Sequence, residues 1–283
     1  MKHNTLKYIA LSIALSSLPL AATAQTDVDL DPEAGARLAF TLDKRLTRGL
    51  HITLEEEVRL DNNFTGFDRL QHTLSASYKV HPNVKLGLGY ALINPYSAKN
   101  SEFKGARHRL MADITGTLHL NLWNISLKER LQTTHRTGSY NAYQSPATAW
   151  GLKSRLAVKY KGWQPRGWTP YAYIEVRNTF SAPTVTADYN AATGTYLVPG
   201  TTSSEGEAGW FLDGFDGTYV DRVRLCLGVD YRMTRASTLT FYLLADRIDN
   251  KAIDANAEGT RLKAYTREKG LVGSLGFNYT YAF

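Results

Sequence analysis

Apolar and polar residues alternate with a period of two along most of the chain. Between Tyr219 and Tyr231, for example, the odd-numbered positions are mainly apolar, whereas the even-numbered positions are mostly charged, polar or small. Successive side chains of a β-strand point to opposite faces, so this pattern predicts strands with one apolar face and one polar face. The alternating segments have about ten residues, the length that a tilted strand needs to cross a bilayer.

The same alternation predicts eleven strands, separated in turn by a short connection and a long one. The segments lie near residues 34–43, 50–60, 67–80, 84–93, 105–118, 121–133, 150–160, 170–180, 219–231, 238–248 and 266–283. Short periplasmic turns and longer extracellular loops, here including a loop over 181–218, are typical of outer-membrane barrels. We therefore predict an all-β fold, a closed antiparallel transmembrane β-barrel of about 10–12 strands.

An odd number of strands is unusual, because bacterial single-chain barrels have even numbers. Either one segment is not a strand, or residues 25–33 run through or beside the barrel.

The N-terminal segment has the three parts of a secretory signal. Lys2 and Lys7 precede an apolar stretch over residues 8–20, and Ala22-Thr23-Ala24 supplies the small residues of a cleavage site. The apolar stretch is shorter than the roughly 20 residues of a spanning helix. The sequence thus predicts a cleaved signal peptide over 1–24 and a single barrel domain over 25–283.

The last strand carries apolar and aromatic residues at alternate positions. This pattern resembles the signal by which the barrel-insertion machinery recognises the terminal strand of outer-membrane barrels, and the residues concerned are Leu275, Phe277, Tyr279, Tyr281 and Phe283. We therefore expect the bacterial outer membrane as the location, with outer-membrane lipids, lipopolysaccharide and the insertion machinery as partners. The oligomeric state stays open.

Composition adds two constraints. The formal charge of +7 includes Lys2 and Lys7 of the signal and is spread along the chain, so nucleic acid is not an expected partner. The single cysteine, Cys226, excludes an internal disulfide. Aromatic residues at the end with short turns, namely Trp123, Trp163, Trp168 and Tyr171, are typical of a girdle at a membrane interface.

If the apolar faces meet lipid, the opposite faces line the lumen, where about fifteen basic residues outnumber seven acidic ones. The charges either pair in an ionic network that fills a narrow lumen or form a pore that favours anions. The candidates are Glu55, Glu57, Arg59, Arg107, Arg109, Lys128, Arg130, Lys153, Arg155, Glu175, Arg177, Arg222 and Arg224.

No catalytic, metal or cofactor site is predicted. Glu55 and Glu57 share a face and could share a proton or a metal, but the nearby Arg59 favours a salt bridge. The histidines lack the spacing H-x-x-x-H, and no G-x-S-x-G motif occurs. Serine and histidine brought together on the barrel wall would still permit a lipid-modifying hydrolase.

Several short charged motifs resemble an uncharacterised outer-membrane barrel family, domain-of-unknown-function family 2490. The motifs are Asp43-Lys44-Arg45-Leu46-Thr47-Arg48-Gly49-Leu50, Glu55-Glu56-Glu57-Val58-Arg59-Leu60, Phe67-Asp68-Arg69, Arg107-His108-Arg109 and Lys128-Glu129-Arg130-Leu131-Gln132. The resemblance implies a barrel over most of the mature chain and no assigned activity. We expect a porin-like, narrow channel that favours small anions or a non-conducting scaffold; the alternatives are the hydrolase and an extracellular binding protein acting through 181–218.

Overall fold

The computed structural model of the protein describes residues 26–163, 167–186, 188–190, 195–197, 211–257 and 262–283. No helix among these residues is long and apolar enough to cross a membrane. The strands are β1 (Thr26–Asp29), β2 (Glu33–Thr47), β3 (Leu50–Asp61), β4 (Gly66–His81), β5 (Val84–Ser97), β6 (Glu102–Phe103), β7 (Arg107–Leu120), β8 (Trp123–Arg136), β9 (Thr148–Tyr160), β10 (Trp168–Thr186), β11 (Asp188–Asn190), β12 (Thr195–Leu197), β13 (Phe211–Arg232), β14 (Ser237–Ala255) and β15 (Leu262–Ala282).

Eleven of these strands close into a barrel. Their order is β2, β3, β4, β5, β7, β8, β9, β10, β13, β14 and β15, and β15 pairs again with β2. Each of the eleven predicted segments overlaps one barrel strand. The prediction of a closed barrel with 10–12 strands is therefore confirmed.

The seam between β15 and β2 differs from the predicted antiparallel arrangement, because these strands run parallel from Val272↔Glu33 to Ala282↔Asp43. Eleven strands in up-and-down order leave the first and the last pointing the same way, so closure requires a parallel pair. The short strand β1 continues this seam, since Thr26–Asp29 pair in parallel with Thr266–Lys269. Residues 26–33 thus lie beside the barrel. The predicted signal peptide, residues 1–24, lies outside the described residues.

One end of the barrel, which we call the turn end, carries short connections. Those over 48–49, 82–83 and 121–122 have two residues each. Gly49 (φ 90°) and Asn121 (φ 44°) adopt positive φ angles, which glycine and asparagine tolerate better than other residues. The predicted short turns are therefore present at this end.

At the opposite, loop end, four neighbouring strands continue beyond the others. β10, β13, β14 and β15 have 19, 22, 19 and 21 residues, against 14 in β5. At about 3.3 Å per residue and a tilt of about 40°, the additional residues of β13 add roughly 20 Å. We call residues 181–186, 211–218, 249–255 and 262–267 the strand extension.

The predicted loop over 181–218 is therefore wrong at both of its ends, because 181–186 and 211–218 are strand. The sequence concealed this because β10 and β13 pair there with several register shifts, which disturb the alternation. Gly217 also packs closely on the neighbouring strand, where an added Cβ would lie 3.1 Å from the Ala182 carbonyl oxygen. The polar stretch 201–207 and Trp210 lie outside the described residues.

The strand extension stands at the mouth of the barrel. It has an apolar cluster of its own, in which Ile253, Ala255 and Tyr265 are buried against Val185 and Leu212. The connection between β8 and β9 reaches the tip of β14, since the side-chain amides of Asn141 and Gln144 each donate to the Ala255 carbonyl at 2.9 Å. Because β10 and β13 separate β14 from β9, this contact bridges the mouth.

The two faces of the barrel wall differ in chemistry. The outer face exposes large apolar side chains, for example Leu88, Leu227 and Leu243, each more than half exposed. Glu175 and Asp246 are buried on the inner face, with 4% and 2% of their surfaces exposed. This distribution is the reverse of that in a soluble globular domain.

Aromatic pairs mark the outer face at the turn end. The ring centroids of Trp123 and Tyr160, and of Trp168 and Tyr231, lie 4.6 Å apart. Tyr171 does not belong to this girdle, contrary to the sequence prediction. It is opposite Gly228 on the inner face, where the absence of a side chain makes room for its ring.

Candidate functional site

All thirteen charged residues predicted for the lumen lie on the inner face. Directly opposed residues of neighbouring strands share a face, and the register links Lys128, Arg155, Glu175, Arg224 and Asp246 in one row across five strands. The remaining candidates belong to the same face through the other strand pairs. Their role in conducting or binding an ion stays a prediction.

Asp246 joins three arginines from two strands. Its Oδ1 atom accepts a hydrogen bond of 2.6 Å from Arg224 Nε, and Oδ2 lies 3.5 Å from Arg37 Nη2 and 3.6 Å from Arg222 Nη1. Arg37 stands on β2 and reaches Asp246 over β15, whose inner side chains are small here. Such a contact across a strand is possible only on the concave side of the barrel.

Further ion pairs continue this network along the wall. Glu175 lies 2.5 Å from Arg155 Nη2 through Oε2 and 3.6 Å from Arg224 Nη1 through Oε1. Asp113 Oδ1 accepts a hydrogen bond of 2.6 Å from Arg130 Nε, and Asp113 Oδ2 lies 2.7 Å from Lys128 Nζ. Asp246, Glu175 and Asp113 are thus each held by two or more cations, which fixes the side chains of this part of the lumen.

A cavity of about 570 Å³ occupies the loop-end half of the lumen beneath the strand extension. The described residues of its wall include seven basic ones and one acidic one, Asp221. We call it the arginine vestibule after the basic set, which consists of Arg69, Arg107, Arg109, Arg136, Arg177, Arg222 and Lys251.

The arginines of the vestibule differ in their partners. Arg69 and Arg177 bind Asp68 and Asp221, with Nε to carboxylate distances of 2.6 and 2.7 Å. Within the part of the chain that the structure describes, Arg107, Arg109 and Arg136 form no ion pair within 4 Å. Arg109 donates to Thr134 Oγ1 at 3.0 Å and Arg136 to Ser145 Oγ at 3.4 Å. The vestibule therefore holds guanidinium groups that form no ion pair with a described carboxylate.

A smaller cavity of about 260 Å³ lies next to the vestibule, toward the turn end. Lys153 and Arg130 line this inner cavity, whereas Arg177, which pairs with Lys153 in the register, lines the vestibule. Gln132 stands in the vestibule wall with 8% of its surface exposed, and its Oε1 atom has no hydrogen-bond partner among the described residues.

The rim of the vestibule contains two cations with opposite surroundings. Burial, and next the neighbouring charge of Arg267, lower the pKa of the Lys251 ammonium, against the influence of Asp249. Arg267 itself donates from Nε to Asp249 at 2.6 Å, and this hydrogen bond raises the pKa of its guanidinium. Lys251 thus gives up its proton more readily than a solvated lysine.

Arg136, Asp221 and Lys251 are charged vestibule residues that the sequence pattern does not assign to the lumen. Arg136 continues the inner positions of β8, but the predicted strand ended at residue 133. Asp221 lies at a register shift, since Arg177 pairs with Arg222 and Asn178 with Val220. The extra residue of this bulge brings two consecutive side chains inward, which no period-two pattern reveals. Lys251 belongs to a part of β14 that was interpreted as a loop.

Two carboxylates of the Glu55–Glu57 segment have basic partners in the described chain. Glu57 binds Arg59 at 2.6 Å, and Glu56 lies on the outer face, paired with His72. Among the described residues, no serine hydroxyl is hydrogen-bonded to a histidine, and no three His, Cys, Asp or Glu side chains are grouped to hold a metal ion.

The terminal-strand residues line the outer face of β15 at the turn end. Tyr279 stacks on Phe40 with centroids 5.8 Å apart, and Tyr281 stacks on Phe283 at 5.9 Å. Lys44 lies 4.2 Å from the centre of the Phe283 ring. The others in the set, Leu275 and Phe277, follow the same alternation. Recognition by the insertion machinery remains a prediction.

Comparison with known proteins adds a family and no activity. No curated protein matches the chain. Residues 35–198 match the family described as "Protein of unknown function (DUF2490)", a match that runs from β2 to the end of the short β11–β12 hairpin and covers more than half of the 283 residues. The chain therefore belongs to the DUF2490 family of proteins of unknown function.

Proposed function

We propose that the protein is an outer-membrane barrel whose basic lumen favours small anions. The observation that carries this proposal is the division of the wall into an apolar outer face and a charged inner face. In lipid, each unsatisfied backbone group costs several kcal/mol, and a closed barrel satisfies these groups between strands. The predicted signal peptide and terminal-strand pattern support the same location.

The inner charges support anion preference. Among the described residues of the vestibule wall, seven are basic and one is acidic. In the inner cavity, the basic residues Lys128, Arg130, Lys153 and Arg155 face three described carboxylates. Walls of low dielectric strengthen the potential of such an excess, which draws anions in and repels cations. The protein is then a narrow channel for small anionic solutes.

Reversal potentials of the purified protein in planar bilayers, measured across a KCl gradient, test this proposal. The expected result is discrete current steps whose reversal potential has the sign of the chloride equilibrium potential. Clear cation selectivity would contradict the proposal. The absence of any current would leave a non-conducting scaffold, closed by the ion pairs around Asp246 and Glu175.

A further inference from the structure

We propose that the arginine vestibule binds a soluble phosphate compound, with Arg107, Arg109 and Arg136 as its main contacts. This inference deepens the proposed function, on which it rests for the access of solutes from the loop end. It adds a binding site and a ligand class to a general preference for anions.

The first argument is the unbalanced charge. Arg107 and Arg136 are directly opposed in neighbouring strands, and Arg109 stands two residues further along β7. Opposed like charges destabilise a strand pair. The positive charge of Arg109 is also repelled by those of Arg59, Arg69, Arg130 and Arg177. Asp68 offsets part of this repulsion at Arg107, but none of the three arginines forms an ion pair with a carboxylate of the described chain. A bound anion would offset the rest.

The second argument is the geometry of the donors. A guanidinium presents a planar fork that matches phosphate and carboxylate oxygens. A phosphate group offers three acceptor oxygens, one for each of the three arginines, whereas a carboxylate offers two. Three arginines that line one cavity and form no ion pair with a described carboxylate therefore fit a phosphate better than a carboxylate.

The third argument is the size and the remaining lining of the cavity. A volume of about 570 Å³ lies within the usual range for small-molecule sites, roughly 300 to 1,000 Å³. Gln144, Ser145 and Asn250 stand in the wall beside the arginines. These groups suit the hydroxyls of a small organic phosphate.

Isothermal titration of the full protein in phosphatidylcholine nanodiscs, with glycerol 2-phosphate and pyrophosphate as probes and acetate as the control anion, tests the site. We expect saturable binding of both phosphates and none of acetate. Arg109→Gln should weaken binding about tenfold or more, because hydrogen bonds to charged groups are lost. Arg109→Lys, which keeps the positive charge but loses the planar guanidinium, should retain only part of the wild-type affinity. Lys85→Gln, which removes an inner charge at the turn end, should bind as the wild type does.

Equal binding by wild type and Arg109→Gln would overturn the inference, and so would equal binding of acetate. Because Arg109→Gln could fold poorly, heat-modifiable migration in gels should verify its barrel, and Arg107→Gln provides a second variant. Loss of phosphate binding when phosphatidylglycerol is added would assign the site to lipid headgroups and overturn the soluble ligand. Anion-selective current without phosphate binding would contradict the phosphate site and support the proposed function. Phosphate binding together with cation selectivity would support the site and contradict the proposed anion preference.

Discussion

The ring of Tyr242 covers Gly276 on the inner face of β14 and β15. A Cβ atom at position 276 would come within 1.9 Å of the ring. Gly228 has the same relation to Tyr171, with a Cβ distance of 2.5 Å to the ring. The two glycines thus let large rings fill the interior without widening the barrel.

Replacing Gly276 by alanine should therefore destabilise the barrel, because Tyr242 must leave its place. Overpacking of this kind costs about 1 to 3 kcal/mol. Urea unfolding in phosphatidylcholine vesicles measures the loss. Gly116→Ala is the matched control, since no atom lies within 4 Å of a Cβ there. If both variants lose the same stability, the packing of Tyr242 is not the cause.

Removing the charge of Asp246 should be more harmful than removing that of Asp230. Asp246→Asn leaves Arg37, Arg222 and Arg224 without their shared carboxylate, at a cost of about 3 to 5 kcal/mol. Asp230 pairs with Lys159, whose side chain is 47% exposed, so Asp230→Asn should cost about 1 kcal/mol or less. The same unfolding assay compares them, and equal losses would argue against a central role for Asp246.

Removing a charge from the outer face should have the opposite effect and stabilise the barrel. Glu129 accepts a hydrogen bond from Ser154 at 2.6 Å and pairs in the register with the exposed Ile114. If this face meets lipid, Glu129→Leu should stabilise the barrel in bilayers by about 1 to 2 kcal/mol, somewhat less than the figure for Arg or Lys at the midplane. Its inner neighbour Arg130 donates twice to Asp113, so Arg130→Leu should destabilise it. A loss of stability in both variants would place Glu129 in a different environment.

The parallel seam predicts the side of the membrane on which β1 lies. Asp27, which pairs with Lys269 at 2.5 Å, stands at the loop end, whereas Asn83 stands at the turn end. A membrane-impermeant maleimide added to intact cells should label Asp27→Cys and leave Asn83→Cys unlabelled until the cells are opened. The native Cys226 is buried and should contribute no background. If Asn83→Cys alone were labelled in intact cells, the turn end and not the loop end would face the outside of the cell.

The alternation of side chains predicted the barrel and its inner charges because both depend on the same geometric rule. Glu175 and Arg224 were assigned to one face by parity, and the structure shows them in contact. Parity fails where the ladder is irregular, as at the bulge that turns both Asp221 and Arg222 inward.

Other features depend on contacts that no local pattern encodes. The vestibule is formed by residues far apart in the chain, for example Arg107 of β7 and Lys251 of β14, beneath an extension interpreted as loop. Leu244 is apolar and yet buried on the inner face, where a pattern of hydrophobicity alone would give it to lipid.

Spin labels placed singly at residues 238–245 of β14 test the central claim, that one face of the wall meets lipid and the other lines the lumen. Collision with oxygen reports lipid, and collision with a polar nickel chelate reports water. We expect oxygen accessibility to alternate with a period of two, high at Leu239, Phe241, Leu243 and Ala245 and low at the positions between them. The decisive pair is Leu243, 56% exposed, and Leu244, 5% exposed. Equal oxygen accessibility at these two leucines, with no alternation along the strand, would contradict the account.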